Sequence, residues 1–490
     1  MSIAFPAVRP PSPAAGFRRV PLLSLILSAF AALLVTACDR GGGNGQISAR
    51  DADYAVEVLA AAPAHGFPKD AFGADQLKDA EGAARDQRLR AALVAYARAQ
   101  HGLGVPKSAL RKDWGLRPAE YDAEADLAAA LQKGELREWL DALPPANPQY
   151  KTLQAAYARY LQLAADGGWP AVPERLAPGA SGPGVAALHQ RLAAEDPELK
   201  DVQPSGTYDA ALAAAVGRFQ AAHGLPATGQ IDKATHAELN VPALARAAQI
   251  RANLERLRWL PRDQPATRID VNTAASVMTY IEDGQVKVAM RSASGKPGDE
   301  TPILASAVDS IVINPPWNVP DGIAQEELYP KEAANPGYFA ANNFVQKEGR
   351  LVQQPGPESA LGLVKFDFDN PYAVYLHDTP AKAAFNQARR AVSHGCVRLE
   401  QAVPFARMLI SREQGWSAER FDQVLASGET TTVKLAKKVP VRLMYLTAFP
   451  ENGRIAFRPD VYGWDAELLR VMDAQMAKQI AAAPAGRRGG

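Results

Sequence analysis

The sequence predicts a multi-domain α+β protein in which helical regions precede a β-rich domain. Three observations carry this. From about Arg50 to Trp169 the chain is rich in alanine, leucine and paired charges at helical spacing. A proline- and glycine-rich break, "WPAVPERLAPGASGPG", separates that region from a second helical segment. Beyond Pro261 the texture changes to alternation and β-branched residues. A chain of 490 residues is expected to hold two or three such domains.

At the N-terminus, Arg18 and Arg19 precede an apolar run from Val20 to Ala37 that ends in "VTAC". Charge, apolar core and small residues before a cut make a secretory signal over 1–37. An apolar residue, two smaller ones and cysteine also resemble the lipobox of bacterial lipoproteins, which implies lipidation of Cys38. An uncleaved membrane anchor is the alternative, since the run is at the lower limit of spanning length. Both place the bulk of the chain outside the cytoplasm. Asp39 favours retention in the inner membrane in some Gram-negative hosts. "DRGGGNGQ" reads as a flexible tether over 38–50.

Composition excludes an electrostatic nucleic-acid binder: net charge is +1 with 22% charged residues. Of the two cysteines, only Cys396 remains if Cys38 is acylated. It is then an inert buried residue or a thiol kept free for use.

Leu89, Leu93, Tyr96 and Ala97, then Leu153, Tyr157 and Leu161, mark helices of a scaffold over 51–175. His65 and His101 are expected to be surface or packing residues. The segment 178–241 reads as three short helices. Val185, Leu188 and Leu192 share one face, Leu212, Val216 and Phe219 the next, and Asp232 caps a third carrying Thr235 and Leu239. His189, His223 and His236 lack companions at metal-ligand spacing. A connecting helix follows over 242–265, with Leu244, Ile250, Leu254 and Leu257 on its buried side. The β-rich domain spans 266–463. "SVMTYIEDGQVKVAM" is a hairpin turning at Asp283-Gly284, and a second turns at Glu451-Asn452-Gly453. The tail, 474–490, is expected to be disordered.

"YLHDTPAKAAFNQARRAVSHGCVRLE", residues 375–400, concentrates the chemistry. His377 ends a strand in which Tyr372, Val374 and Leu376 share the opposite face. Three readings compete for Cys396. Zinc accepts His377, His394 and cysteine, although no CxxC or HExxH spacing is present. A free cysteine is also often an inert core residue. As a nucleophile, Cys396 needs a neighbouring base, which His377 supplies if strand end and loop lie side by side. Gly395 leaves room beside the sulfur, and the N–H groups of His394, Gly395 and Cys396 are candidates for an oxyanion hole. Arg398 suits a substrate carboxylate or a structural ion pair.

These motifs carry two resemblances. "G..V..L...L" with "G.YD......V..FQ...GL..TG.ID..T...LN" resembles a small peptidoglycan-binding module. "HDTP", "SHGCVRL", "SASGKP", "INPPWNVP" and "YLTAFPENGRIAFRPDVYG" resemble the L,D-transpeptidase catalytic domain, in the form of the large multi-domain Gram-negative members. That resemblance implies a β-sandwich, Cys396 as nucleophile, His377 as general acid/base, and no metal or organic cofactor. His394, Gly395 and Ser393 would support the thiol. The carbonyl after the catalytic histidine, here that of Asp378, would orient the ring, with the Asp378 carboxylate a further candidate. Many members carry asparagine where Arg398 stands; the large subfamily commonly has arginine.

The implied partners are peptidoglycan tetrapeptide stems and glycan, joined through a thioester into 3→3 cross-links. Resolution by water or by a lipoprotein lysine is the alternative, and a wall-tethering protein without activity the non-enzymatic one. The residues 321–370 are long for a loop and are expected to form a mobile cap, with Tyr338 and Phe339 as candidate substrate contacts.

Overall fold

The computed structural model describes residues 46–482. The signal run, Cys38 and the glycine-rich part of the tether lie outside these residues. The tether stops short of residue 50, because Ile47 is buried and Ser48 caps the first helix by accepting from the Asp51 N–H at 3.1 Å. No helix among the described residues is long and apolar enough to cross a membrane.

The scaffold is built from α1 (Ala49–Ala60), α2 (Ala74–Lys78), α3 (Gly82–Gln100), α4 (Ala123–Lys133), α5 (Leu136–Ala142) and α6 (Pro148–Ala165). Leu89, Leu93, Tyr96 and Ala97 fill its core. Met476 enters the same core from a C-terminal helix, Trp464–Ala482. The tail expected to be disordered from 474 is therefore ordered to 482, because Leu468, Met472 and Met476 recur at helical spacing and bury one stripe.

The next unit packs α7 (Pro183–Ala193), α8 (Ala210–Ala222) and α9 (Lys233–Leu239) around Val185, Leu188, Val216, Phe219 and Leu239. Asp209 and Asp232 cap α8 and α9, accepting from the Leu212 and Thr235 N–H groups at 2.9 and 2.7 Å. Two of its histidines are structural: His223 stacks on Phe219 at 3.8 Å, and His236 bonds the Val172 carbonyl.

The connecting helix α10 (Ala243–Arg258) is no mere linker, since Ile250, Leu254 and Leu257 lie in a core shared with α6 and the C-terminal helix. Leu244, expected on its buried side, is 61% exposed. Ala243 and Ala247 are buried instead, because they precede Ile250 at intervals of four and three, and Leu244 falls off that stripe.

The β-rich domain contains β1 (Arg268–Asn272), β2 (Val277–Glu282), β3 (Gln285–Gly295), β4 (Leu304–Ile313), β5 (Trp317–Asn318), β6 (Phe344–Lys347), β7 (Arg350–Gln353), β8 (Val364–Phe368), β9 (Leu376–His377), β10 (Ala391–Ser393), β11 (Val397–Leu399), β12 (Thr431–Met444), β13 (Ala448–Glu451) and β14 (Arg454–Phe457). Nine of these form one sheet in the order β10-β3-β11-β9-β8-β4-β12-β1-β2, and β2 pairs back onto β3. The two layers of the expected sandwich are thus one sheet closed on itself, which leaves no free edge at β2. The β2–β3 turn is Asp283-Gly284, both at positive φ, as a tight two-residue hairpin requires.

The cap is smaller than 321–370. It comprises β5, β7 and β6 in that order, helical turns from 321 to 341, and its own core of Val319, Leu328, Phe344 and Leu351. β8 belongs to the main sheet, because Val364, Phe366 and Phe368 alternate inward to its core.

Candidate active site

The site begins with strand alternation. β9 and β11 run parallel and adjacent, with Leu376 opposite Val397 and His377 opposite Arg398. Leu376 and Val397 are fully buried in the sheet core. Residues two apart share a face, so Tyr375, His377, Cys396 and Arg398 all project from the other side. Lys365 of β8 pairs with His377 and joins the same row. The sequence brought His377 and Cys396 together only conditionally; adjacent strands meet that condition.

A short loop presents the thiol. Ser393 is buried, and its hydroxyl donates to the Cys396 carbonyl at 2.5 Å, pinching the turn closed. Thr301, also buried, donates to the Gly395 carbonyl at 2.8 Å and accepts from the Gly295 N–H at 2.8 Å. Gly395 has φ of 103°, a conformation open to glycine and strained for other residues. At Gly295 a Cβ would lie 1.9 Å from the Asp299 carbonyl oxygen, so no side chain fits where this loop meets β3. The N–H groups of His394, Gly395 and Cys396 have no protein acceptor among the described residues.

His377 is oriented from behind. Its Nδ1 lies 2.5 Å from the Asp378 carbonyl oxygen. A carbonyl only accepts, so Nδ1 carries the proton and Nε2 the lone pair. The Asp378 carboxylate is engaged elsewhere, accepting from the Leu363 N–H at 2.9 Å and from Lys382 Nζ at 2.5 Å. Of the two candidates at this residue, the carbonyl faces the ring.

Burial depresses the His377 pKa to about 3; the nearby Arg398 charge adds to this, and the hydrogen bond to the Asp378 carbonyl opposes it. Burial pushes the Cys396 thiol up, against hydrogen bonds from Tyr375 and the charges of Lys365 and Arg398. Both shifts favour the neutral thiol–imidazole pair at rest. Arg398 Nε is buried without a partner, and no ion pair among the described residues engages this guanidinium.

His394 faces away from this row. Its Nε2 lies 2.6 Å from Glu327 Oε1 of the cap, with Lys296 Nζ at 3.4 Å. Tyr338 is part of the cap's aromatic cluster, half-buried, its ring 6.3 Å from that of Phe344. Among the described residues no group of three or more His, Cys, Asp or Glu is placed to hold a metal ion. Four contributors went unnamed in the sequence: Tyr375, Lys365, Thr301 and Glu327. Tyr375 was within reach, since period-two alternation puts it on the face of His377. The others come from distant segments.

Residues 266–413 match a family model described as the L,D-transpeptidase catalytic domain. Residues 43–156 match one described as a scaffold domain, and 181–239 one described as "Putative peptidoglycan binding domain". A Haemophilus influenzae protein named "Putative L,D-transpeptidase" is 36% identical over 236 residues, 44% of this chain. The chain spans about half the length of that relative, 48%. Among solved structures, an L,D-transpeptidase from Xylanimonas cellulosilytica is 18% identical, over 56% of this chain and 99% of that one, with a TM-score of 0.19. The catalytic domain of the E. faecium L,D-transpeptidase acylated by ertapenem is 15% identical, over 37% of this chain and 99% of that one, with a TM-score of 0.21. Overlaps this weak carry no geometric argument. Residues 266–413 thus match the L,D-transpeptidase catalytic domain, preceded along the chain by the scaffold and peptidoglycan-binding matches.

Proposed function

We propose that the protein is a peptidoglycan L,D-transpeptidase forming 3→3 cross-links through a Cys396 thioester. One observation carries the reading: a cysteine, a neutral histidine and an unpaired arginine project from one face of two neighbouring strands. The donor is a tetrapeptide stem ending in D-alanine, whose carboxylate Arg398 receives. Cys396 Sγ attacks the carbonyl of the third residue while His377 Nε2 takes the thiol proton. The free N–H groups of the 394–396 loop donate hydrogen bonds to the developing oxyanion. The C–N bond then breaks, His377 passes its proton to the departing D-alanine amine, and a thioester remains. A side-chain amine of a neighbouring stem attacks the thioester and loses its proton to His377. The new amide forms and the sulfur leaves, regaining that proton.

The match at 181–239 supports peptidoglycan as the surface on which the domain works. Lipidation of Cys38 would hold the chain at a membrane facing the periplasm, the inner membrane by Asp39. The test is muropeptide analysis of wall material incubated with the purified protein and with a Cys396→Ala variant. Dimers linked between third residues, absent with the variant, are the expected result. Trimmed tripeptide stems alone would assign hydrolysis instead. Full cross-linking by Cys396→Ala would sink the thioester.

A further inference from the structure

We infer that the scaffold segment 112–116 is a positioning element of the active site, gripping at once the two stretches of chain that carry Cys396 and His377. This rests on the reading of those side chains as the reacting pair and adds what fixes their spacing.

The segment lies between α3 and α4 and is stiff before it meets the β-rich domain. The Arg117 guanidinium donates to the Arg111 carbonyl at 3.0 Å and closes the bend. Arg111 is bound in turn to Asp113 at 2.9 Å and to Glu467 of the C-terminal helix at 3.3 Å. Trp114 is fully buried, its ring 5.8 Å from that of Trp259 and 5.7 Å from that of Trp464. A loop packed this closely transmits position instead of absorbing it.

Its first grip is on the cysteine side. Trp114 forms a parallel bridge with Ile303, the residue just before β4. The Ile303 N–H donates to the Asp113 carbonyl at 3.0 Å, and the Leu116 N–H to the Ile303 carbonyl at 2.8 Å. Two residues upstream of Ile303, the Thr301 hydroxyl holds the carbonyl of Gly395, the neighbour of Cys396.

The second grip is on the histidine side, where the Tyr372 hydroxyl donates to the Lys112 carbonyl at 2.8 Å. Tyr372 lies in the turn that leads into β9, and the next residue, Ala373, has a φ of 53°. A residue with a side chain stays there only where its surroundings over-determine it. The Asn370 side chain supplies one constraint, accepting from the N–H groups of Tyr372 and Val374 at 3.1 and 3.2 Å. The scaffold carbonyl supplies the other. Gly115 sits where the two grips meet: a Cβ there would lie 2.6 Å from Tyr372 Oη and 3.2 Å from the Ile303 carbonyl oxygen. A methyl group at this position pushes Tyr372 off Lys112 and presses on Ile303 together.

The experiment compares the full chain with Gly115→Ala and Tyr372→Phe, with folding checked by near-ultraviolet circular dichroism. Single-turnover acylation by a donor tetrapeptide is one readout. Amide exchange is the other, at Gly295, Lys296 and Val397 around the cysteine loop and at Val374 and Asp378 on the histidine side. Gly115→Ala is expected to lower the limiting acylation rate about tenfold, with the half-saturating donor concentration within about twofold, because misplaced reacting groups cost rate and not ground-state binding. Exchange should quicken at both sets of amides. Tyr372→Phe, which breaks one hydrogen bond, should lower the rate by less and quicken exchange on the histidine side alone. Unchanged exchange at either set in folded Gly115→Ala overturns the inference, as does a loss carried by half-saturation or no loss of rate in protein that the donor acylates. Should Gly115→Ala not fold, Tyr372→Phe decides, and unchanged exchange at Val374 and Asp378 overturns it. Quickened exchange at both sets in a protein that the donor never acylates leaves the clamp standing and removes the proposed function.

Discussion

Arg398 lies across from His377 on neighbouring parallel strands, and no carboxylate among the described residues answers its charge. That pairing shapes the whole site. A cation beside a buried imidazole keeps the imidazole neutral, while a buried thiol beside a neutral base keeps its proton. The resting site therefore holds a neutral pair, and on the proposed reading the proton moves only as the sulfur attacks.

The pH dependence of acylation follows. His377 is depressed from 6.5 to about 3, so its basic form persists through the mildly acidic range. Acylation by a donor tetrapeptide, followed as kcat/KM, should show no loss centred near pH 6.5. It should rise toward alkaline pH as the thiol ionises, because the thiol is shifted up from 9.0. A steep acid limb near 6.5 would mean that an unperturbed imidazole is the base.

Replacing Arg398 by methionine removes the charge while keeping a long side chain. Losing a charge-assisted hydrogen bond to a donor carboxylate should lower kcat/KM roughly 10- to 100-fold, mostly through KM. A donor whose terminal carboxylate is amidated should be indifferent to the substitution. Equal losses on both donors would assign Arg398 a structural part.

Glu327 and His394 hold the cap to the loop that carries the thiol, 2.6 Å apart. Glu327→Gln keeps the size and removes the charge. Faster amide exchange across 317–353 is expected, with acylation several-fold slower as the cleft opens to water. Unchanged exchange would show that the cap's own aromatic core, around Phe344 and Leu351, suffices to seat it.

The legibility of the sequence varied with the range of the forces involved. Helical stripes such as Leu89-Leu93-Tyr96 and the Asp283-Gly284 turn depend on near neighbours, and they stand as read. The approach of His377 to Cys396 was readable only as a condition, because it depends on β9 and β11 lying side by side. Other long-range placement was not readable. β8 looked like cap because only its pairing with β4 and β9 makes it a sheet strand, and Lys365 was overlooked with it. Leu244 was assigned inward from hydrophobicity alone, although the stripe through Ala243 and Ala247 decides the face.

Acid should destabilise the fold before it protonates the active site. His65 and His101 are depressed to about 4 and His223 to about 3, each chiefly by burial. Below 6.5 the unfolded chain binds protons that the native state refuses, so stability is full above 6.5 and is lost as pH falls toward 4 and 3. The urea midpoint should drop between pH 7 and pH 5. His101 lies flat on Tyr121 at 3.6 Å, so His101→Phe keeps the stack and should flatten part of that slope. An identical slope would show that His101 titrates alike in both states.

Thr301 links the loop that carries Cys396 to β3, and its hydroxyl serves two buried main-chain groups at once. Thr301→Val preserves shape but leaves the Gly395 carbonyl and the Gly295 N–H without their partner. An orphaned buried group costs about 1–3 kcal/mol, so the double loss should lower stability by roughly 2–6 kcal/mol in urea unfolding. The loop should also loosen, and the alkylation rate of Cys396 should change with it. Thr301→Ser restores both hydrogen bonds and gives up only a methyl group, at about 1 kcal/mol. If serine fails to rescue stability, the contribution of Thr301 is its packing; if valine costs nothing, water has replaced the hydroxyl and the loop is held by Ser393 alone.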